Sequence, residues 1–313
     1  MKNILFLFAV FTFLVSCKEK TIENNGGMHI VLNYTPNYSD TANLKTVINK
    51  RLNTYSLSNY SIIINKNNIY IDIPEFTDSS IINDLLCQKG YFEITETYDN
   101  TEIAPYITEL NQKILLNDTN IADSVKYPLF MLLAPNTDEN MQALSGANIG
   151  YVKSKDTAKI TEYLKLYSNI FPKNIKFAWS MQYYSDDIFI LVPIKNTQNN
   201  IAPITGEMLE TTKVETSYNT NSYVVSSVFK EKYHKNWADL THKNIGKALA
   251  LIIDNKVYST PYVNSEIKNG NTQISGNFTK KEAVILAAYL NSGVLPCKIA
   301  IKKIEIKQPK KTE

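Results

Sequence analysis

Apolar and polar positions alternate from Met28 to Tyr34 in a run rich in Ile and Val, a period of two that predicts a strand. The period then changes. Ser39-Asp40 precedes Leu44, Val47, Ile48 and Leu52, which share one helical face, so a capped helix is predicted to about Asn53. Ser61–Ile64 and Ile69–Ile73 are two short apolar runs around Asn65-Lys66-Asn67-Asn68, a link suited to a hairpin, and Pro74 ends the second. Asp78-Ser79-Ser80 opens another helix through Ile81, Ile82, Leu85 and Leu86. Gly90 closes it, and Tyr91–Tyr98 is again a strand. The order β-α-β-β-α-β is that of a ferredoxin-like split βαβ unit.

The second block is longer and less regular. Helices are predicted at Ala104–Leu116, Thr157–Tyr167 and near Lys232–Asn244, with a polar loop over Asn117–Tyr127. Strands are predicted at Lys176–Trp179, Ile188–Ile194 and Tyr223–Phe229, with Lys195–Asn200 as a polar linker. Ala248–Ile253 and Val257–Ser259 flank Asp254-Asn255, a hairpin turn. Thr279 with Glu282 is a capping box for a final helix to Asn291, stopped by Gly293. Lys298–Ile306 is the last strand, and the tail to Glu313 is charged.

Composition narrows the function without naming it. The 313 residues are 44% hydrophobic and 20% charged, which builds ordinary cores and excludes a wholly disordered chain. Mean hydropathy is −0.22, and beyond the N-terminus no run of 18 apolar residues exists to span a bilayer. Lys and Arg number 33 against 30 Asp and Glu, a balance that advertises no nucleic-acid surface. Three Cys and three His exclude a disulfide scaffold and leave little for a zinc site. No GxSxG, HExxH, Walker loop or GxGxxG occurs, so no catalytic, cofactor-binding or metal residue is assigned and no small-molecule substrate is identified.

The isolated candidates read as structural. His234 and His242 lie eight residues apart on one predicted helix, two turns from each other, too far to share a metal unaided. His29 sits in the first strand and reads as packed. Asp186-Asp187 reads as a turn, where Asp bonds locally. The 20 Tyr and 12 Phe suit a protein-binding surface but fill a core equally well.

The N-terminus is an address. Lys2 precedes the apolar stretch Ile4–Val15, a secretory pattern too short for a transmembrane helix. Leu14-Val15-Ser16-Cys17 resembles the lipobox of bacterial lipoproteins, with residues 1–16 as signal peptide and Cys17 as the diacylated, N-acylated first residue. Two or three acyl chains anchor stably where one does not. Residues 17–25 then form a polar tether. Lys18 is not the Asp that retains lipoproteins in the inner membrane of enteric bacteria, which leans toward the outer membrane. In an oxidising compartment Cys87 and Cys297 are open to a disulfide or to two packed free thiols.

Longer segments carry a family resemblance. Gly26-Gly27 followed by Met28–Asn33 resembles the glycine pair of the GLDLxGG element of SecD, the translocase subunit of bacterial protein export. The GLDL half is replaced by Thr21-Ile22-Glu23-Asn24-Asn25. Arg51-Leu52-Asn53 with Leu57-Ser58 resembles the end of the family's first helix. Ile69–Pro74 resembles its VELPG strand, with Glu75 where Gly is usual, and Tyr91-Phe92-Glu93-Ile94 its LEF strand. Asp156-Thr157, Phe171-Pro172 and Phe177-Ala178-Trp179 are similar to fused SecDF proteins of Bacteroidota. Trp237–Thr241, Asn244–Ala250, Asp254–Val257 with Tyr258–Pro261, Gln273–Thr279 with Glu282-Ala283, and Ser292–Pro296 follow the family's C-terminal motifs in order and spacing.

The resemblance covers Gly26 to Ile306 and implies an α+β fold. It implies a ferredoxin-like βαββαβ base over 26–100 and a second α+β head over 101–297. The terminal strand 298–306 is a candidate to return to the base, and 307–313 is tail. In the family the domain continues through a VGPSLG-like element into proton-coupling helices, of which Glu305–Pro309 keeps a trace. The implied molecule is a non-enzymatic, lipid-anchored binding module without that motor. Its expected partners are the membrane, exported polypeptide or a Sec translocase component. The alternative is an adaptor lipoprotein that kept the fold without an export role. The head is thought to swing on the base, which makes Thr97–Thr101 and Gly293–Lys298 hinge candidates.

Overall fold

The computed structural model describes residues 20–35, 38–117, 126–181, 187–197, 199, 201–217 and 222–310. The signal segment with Cys17, Asp186 and most of the polar stretch after Asn117 lie outside these residues.

A one-turn helix, α1 (Ile22–Asn25), leads into strand β1 (Gly27–Tyr34). Helix α2 (Thr41–Thr54) begins at Asp40, whose carboxylate accepts from the Asn43 N–H at 3.0 Å, and it buries the expected Leu44, Val47, Ile48 and Leu52. Strands β2 (Ser61–Asn65) and β3 (Asn68–Ile73) form the hairpin, and helix α3 (Ser79–Cys87) starts at Asp78. Then come β4 (Phe92–Glu96), α4 (Asn100–Asn117), β5 (Leu133–Pro135), β6 (Gly150–Lys153) and α5 (Ser154–Leu166). Next are β7 (Ile175–Ser180), β8 (Ile188–Lys195), β9 (Ile204–Thr205), β10 (Leu209–Thr216), β11 (Tyr223–Phe229) and α6 (His234–Lys243). The chain ends with β12 (Leu249–Ile253), β13 (Lys256–Ser259), β14 (Asn271–Phe278), α7 (Lys280–Ser292) and β15 (Ile299–Lys307).

Among the described residues three sheets form, ordered β15-β1-β3-β2, β10-β11-β14 and β5-β6-β8-β7-β13-β12-β4-β9. The first is the ferredoxin-like antiparallel sheet, but its fourth strand is not the expected Tyr91–Tyr98 segment. β15 takes that place, pairing with β1 from Gly27↔Lys307 to Tyr34↔Ile299, so the terminal strand does return to the base. β4 instead pairs with β12 and β9. A strand pattern states that a segment is extended and cannot choose its neighbour. Here the choice is fixed by Asp254, whose carboxylate accepts from the N–H groups of Gly90 and Tyr91 at 2.8 and 2.9 Å. That carboxylate ties the exit of α3 to the β12–β13 turn. The turn itself has positive φ at both central residues, Asp254 (49°) and Asn255 (66°), as a two-residue hairpin of the primed type needs.

Helix α7 begins with the predicted capping box. The Thr279 hydroxyl accepts from the Glu282 N–H at 3.3 Å, and the Glu282 carboxylate accepts from the Thr279 N–H at 2.9 Å. It is buried along most of its length between the base helices and the β10–β11–β14 sheet, with Ala283, Ala287 and Ala288 admitting close neighbours. A second core joins α4 and α5 through Ile103, Ile107, Leu110, Ile160 and Leu164. The large sheet curls until Thr97 bridges Ile194, enclosing a third core of small side chains that includes Ala178, Ala248 and Ala250.

One buried charge joins these parts. Arg51, on α2, is fully buried, as the sequence did not suggest. Its Nη1 donates to the carbonyls of Leu85 and Gln88, both at 2.7 Å, and its Nη2 to those of Lys89 (2.8 Å) and Gly293 (3.4 Å). Nε donates to the Ser292 hydroxyl at 3.1 Å, and the guanidinium lies 4.9 Å from the centre of the Tyr289 ring. Burial lowers its pKa to about 10, which still leaves it charged at neutral pH.

Cys87 and Cys297 are free thiols. Burial raises both pKa values, so at neutral pH neither is a thiolate. Among the described residues no helix is long and apolar enough to cross a membrane.

Candidate functional site

A cleft of about 250 Å³ opens between the large sheet and strand β14. Ile94 of β4 with Leu249 and Leu251 of β12 make its apolar floor, and Trp237 and Thr241 of α6 one wall. The segment from Pro261 to Ile267 makes the opposite wall, and Thr272–Ile274 of β14 the lip. Helix α6 turns Trp237, Leu240 and Thr241 inward, and the Trp237 ring stacks on Phe229 with centres 5.0 Å apart. The Thr241 hydroxyl donates to the Trp237 carbonyl at 2.9 Å and accepts from the Ile267 N–H at 3.0 Å, which holds the two walls together.

Two features of the cleft residues stand out, one buried and one at a strand edge. Trp237 is 4% exposed, yet its indole N–H has no hydrogen-bond partner. A buried donor left unpaired costs about 1–3 kcal/mol. In addition, β14 pairs with β11 on one side and, among the described residues, with no strand on the other. Its unpaired edge leaves main-chain donors and acceptors without a strand partner, and Thr272–Ile274 of the same strand line the cleft.

The side chains singled out in the sequence do not converge. His234 is packed, its Nε2 3.0 Å from the Phe229 carbonyl oxygen, whereas His242 is exposed with Nδ1 3.5 Å from Glu266. His29 pairs with Asp72 on the neighbouring strand at 2.6 Å. Asp187 sits at positive φ (56°), in keeping with a turn. Among the described residues no three His, Cys, Asp or Glu side chains gather to hold a metal. The buried, unpaired indole N–H had no signal in the sequence. Trp237 stands in a recognisable motif, but only tertiary packing decides whether its N–H finds an acceptor.

Both hinge candidates are tied down. The Thr97 hydroxyl donates to the Ala248 carbonyl at 2.8 Å, and the Tyr98 N–H to that of Pro193 at 2.9 Å. The Leu295 N–H donates to the Lys89 carbonyl at 2.9 Å, and the Lys298 carbonyl accepts from the Thr35 N–H at 3.0 Å. Asp99 secures the first segment. Burial pushes its carboxyl up, but hydrogen bonds from the hydroxyls of Thr101 and Ser145 and the N–H groups of Thr101 and Gly146 outweigh that and hold it below the usual range. A depressed folded pKa gives stability that is present above the unfolded value and lost as pH falls through the folded one. Asp99→Asn should therefore reduce stability by about 1 kcal/mol at pH 7 and flatten the acid limb of a urea-midpoint against pH profile.

The chain is similar to protein-export components along most of its length. The family model described as SecDF, P1 head subdomain, matches residues 193–297, within the region read as head. Protein translocase subunit SecD of Calditerrivibrio nitroreducens is 26% identical across 96% of this chain, which spans 64% of that protein. SecD of Rhodothermus marinus is 27% identical across 66% of this chain, which spans 32% of it. The fold is shared with a crystal structure of SecDF in its super-membrane-facing form, at a TM-score of 0.51 and 18% identity, covering 93% of this chain and 32% of that one. SecD proteins are translocase components and not enzymes. With its ferredoxin-like sheet, its P1 head match over residues 193–297 and its relatives across the chain, this molecule is similar to the periplasmic part of SecD proteins.

Proposed function

We propose that the chain serves protein export as a non-catalytic binding module facing the periplasm, held at a membrane through lipid on Cys17, and that the cleft beside β14 receives exported polypeptide. Its relatives are translocase subunits, which supports the setting. The observation that carries the reading is an apolar cleft lined in part by β14, a strand with one unpaired edge among the described residues. An extended segment adds to β14 through its main chain and places an apolar side chain over Ile94, Leu249 and Leu251. Unfolded chains offer extended backbone and apolar side chains together; folded proteins rarely do.

Tyr262→Ser removes an exposed ring from the cleft wall and leaves the buried floor intact. It should bind an extended apolar peptide about tenfold more weakly than the parent in a fluorescence-anisotropy titration, with stability nearly unchanged. Equal affinity in parent and variant, or no saturable binding to the parent, overturns the reading.

A further inference from the structure

A second groove, of about 530 Å³, lies between the end of α5 and the start of β7. Phe171, Phe177 and Trp179 form its floor, with Phe171 and Phe177 meeting edge to face at 4.9 Å. The Trp179 indole N–H donates to the Thr161 hydroxyl at 3.1 Å, so the ring is fixed and its polar atom satisfied. Around this floor stand Lys165, Lys173 and Lys176, all exposed. Among the described residues no ion pair reaches any of the three. Two acids lie near these lysines without forming an ion pair with them. Glu162 pairs with Lys159 at 3.2 Å, and Glu93, half-buried, has its pKa raised by burial although Lys176 and Lys89 oppose this. Three ammonium groups thus stand around one aromatic floor.

We propose that this groove docks an acidic peptide segment bearing an aromatic or large aliphatic side chain. Carboxylates of the segment meet the three ammonium groups, and the apolar side chain enters against Phe177 and Trp179. Complementary charge sets orientation and encounter rate, while burial of the ring supplies affinity. A flat anionic bilayer offers the charge but cannot fill a recessed floor. The site is independent of the cleft beside β14: its floor is polar-satisfied, its rim is charged, and it shares no residue with that cleft.

The chain has two tryptophans, one in each site, so in the Trp237→Phe variant Trp179 reports this groove alone. The probes are a glutamate-rich peptide with a central Phe, the same peptide with Lys for Glu, the Glu peptide with Gly for Phe, and phosphatidylglycerol vesicles. On the full chain, Trp179 emission should shift saturably with the first probe and about tenfold more weakly with the second and third. High salt should weaken the first interaction by a similar factor. The exposed pair of changes Lys165→Glu and Lys173→Glu should abolish it while leaving the circular dichroism spectrum intact. A response to the lysine peptide equal to that of the acidic one, no saturable shift, indifference to charge reversal, or a response to vesicles alone overturns the proposal.

Discussion

Arg51→Met should destabilise the protein by about 3–5 kcal/mol, seen as a lower urea midpoint at an unchanged slope. The guanidinium donates five hydrogen bonds, four to main-chain carbonyls and one to the Ser292 hydroxyl. Bonds from a charged donor are worth about 1.5–3 kcal/mol each, and stranding a buried acceptor costs about 1–3 kcal/mol. Against this stands the relief of no longer burying a charge, several kcal/mol. The sum over five partners exceeds that relief, so loss wins. Arg51→Lys restores charge and not the planar fork; one ammonium cannot reach carbonyls on both the α3 exit and the α7 exit, so less than half of the loss should return. A methionine variant as stable as the parent would show that the clamp is dispensable.

Gly27→Ala should cost about 3–4 kcal/mol in the same assay. Gly27 has φ 137°, a region closed to other residues, and an added Cβ runs into the carbonyl oxygen of Ile73 and lies 2.9 Å from Pro74 Cα and Glu75 N. All three obstacles are backbone, so nothing flexible can yield. At Gly26 a Cβ meets the Lys307 carbonyl oxygen at 2.7 Å and the Pro309 ring at 2.8 Å. The glycine pair therefore marks where β1 enters between β3 and β15 with no room on either side. Gly293→Ala is the control. It has φ 78° and nothing within 4 Å, so it should lose only about 1–2 kcal/mol from the left-handed backbone. Equal losses at Gly27 and Gly293 would refute the steric account.

Local physics was legible in the sequence, and partnership was not. Asp40, Asp78 and Thr279 cap helices where their spacing predicts, because a cap is decided within four residues. The Asp254-Asn255 turn is equally local. The neighbour of β4 depends on a carboxylate more than 160 residues away, and the burial of Arg51 depends on the ends of two later helices. A charged residue at an otherwise apolar helix end reads as solvated until those ends are in place. The site divides in the same way. The motif around Trp237 was visible, whereas the cleft it walls and the lysine rim around Trp179 exist only once distant segments meet.

The pairing of β1 with β15 also dictates an order of assembly. The base sheet needs a strand from each end of the described chain, with the whole head between them. Contacts of such separation carry a large closure entropy and form late, while the hairpin β2–β3 and the helices form from neighbours. A chain emerging N-terminus first must therefore hold β1 with one edge unpaired until β15 arrives. During that interval the run Ile30–Leu32 is an open template for any other strand. The molecule passes through a state resembling the clients proposed for it, and its yield should depend on how soon its last strand is released.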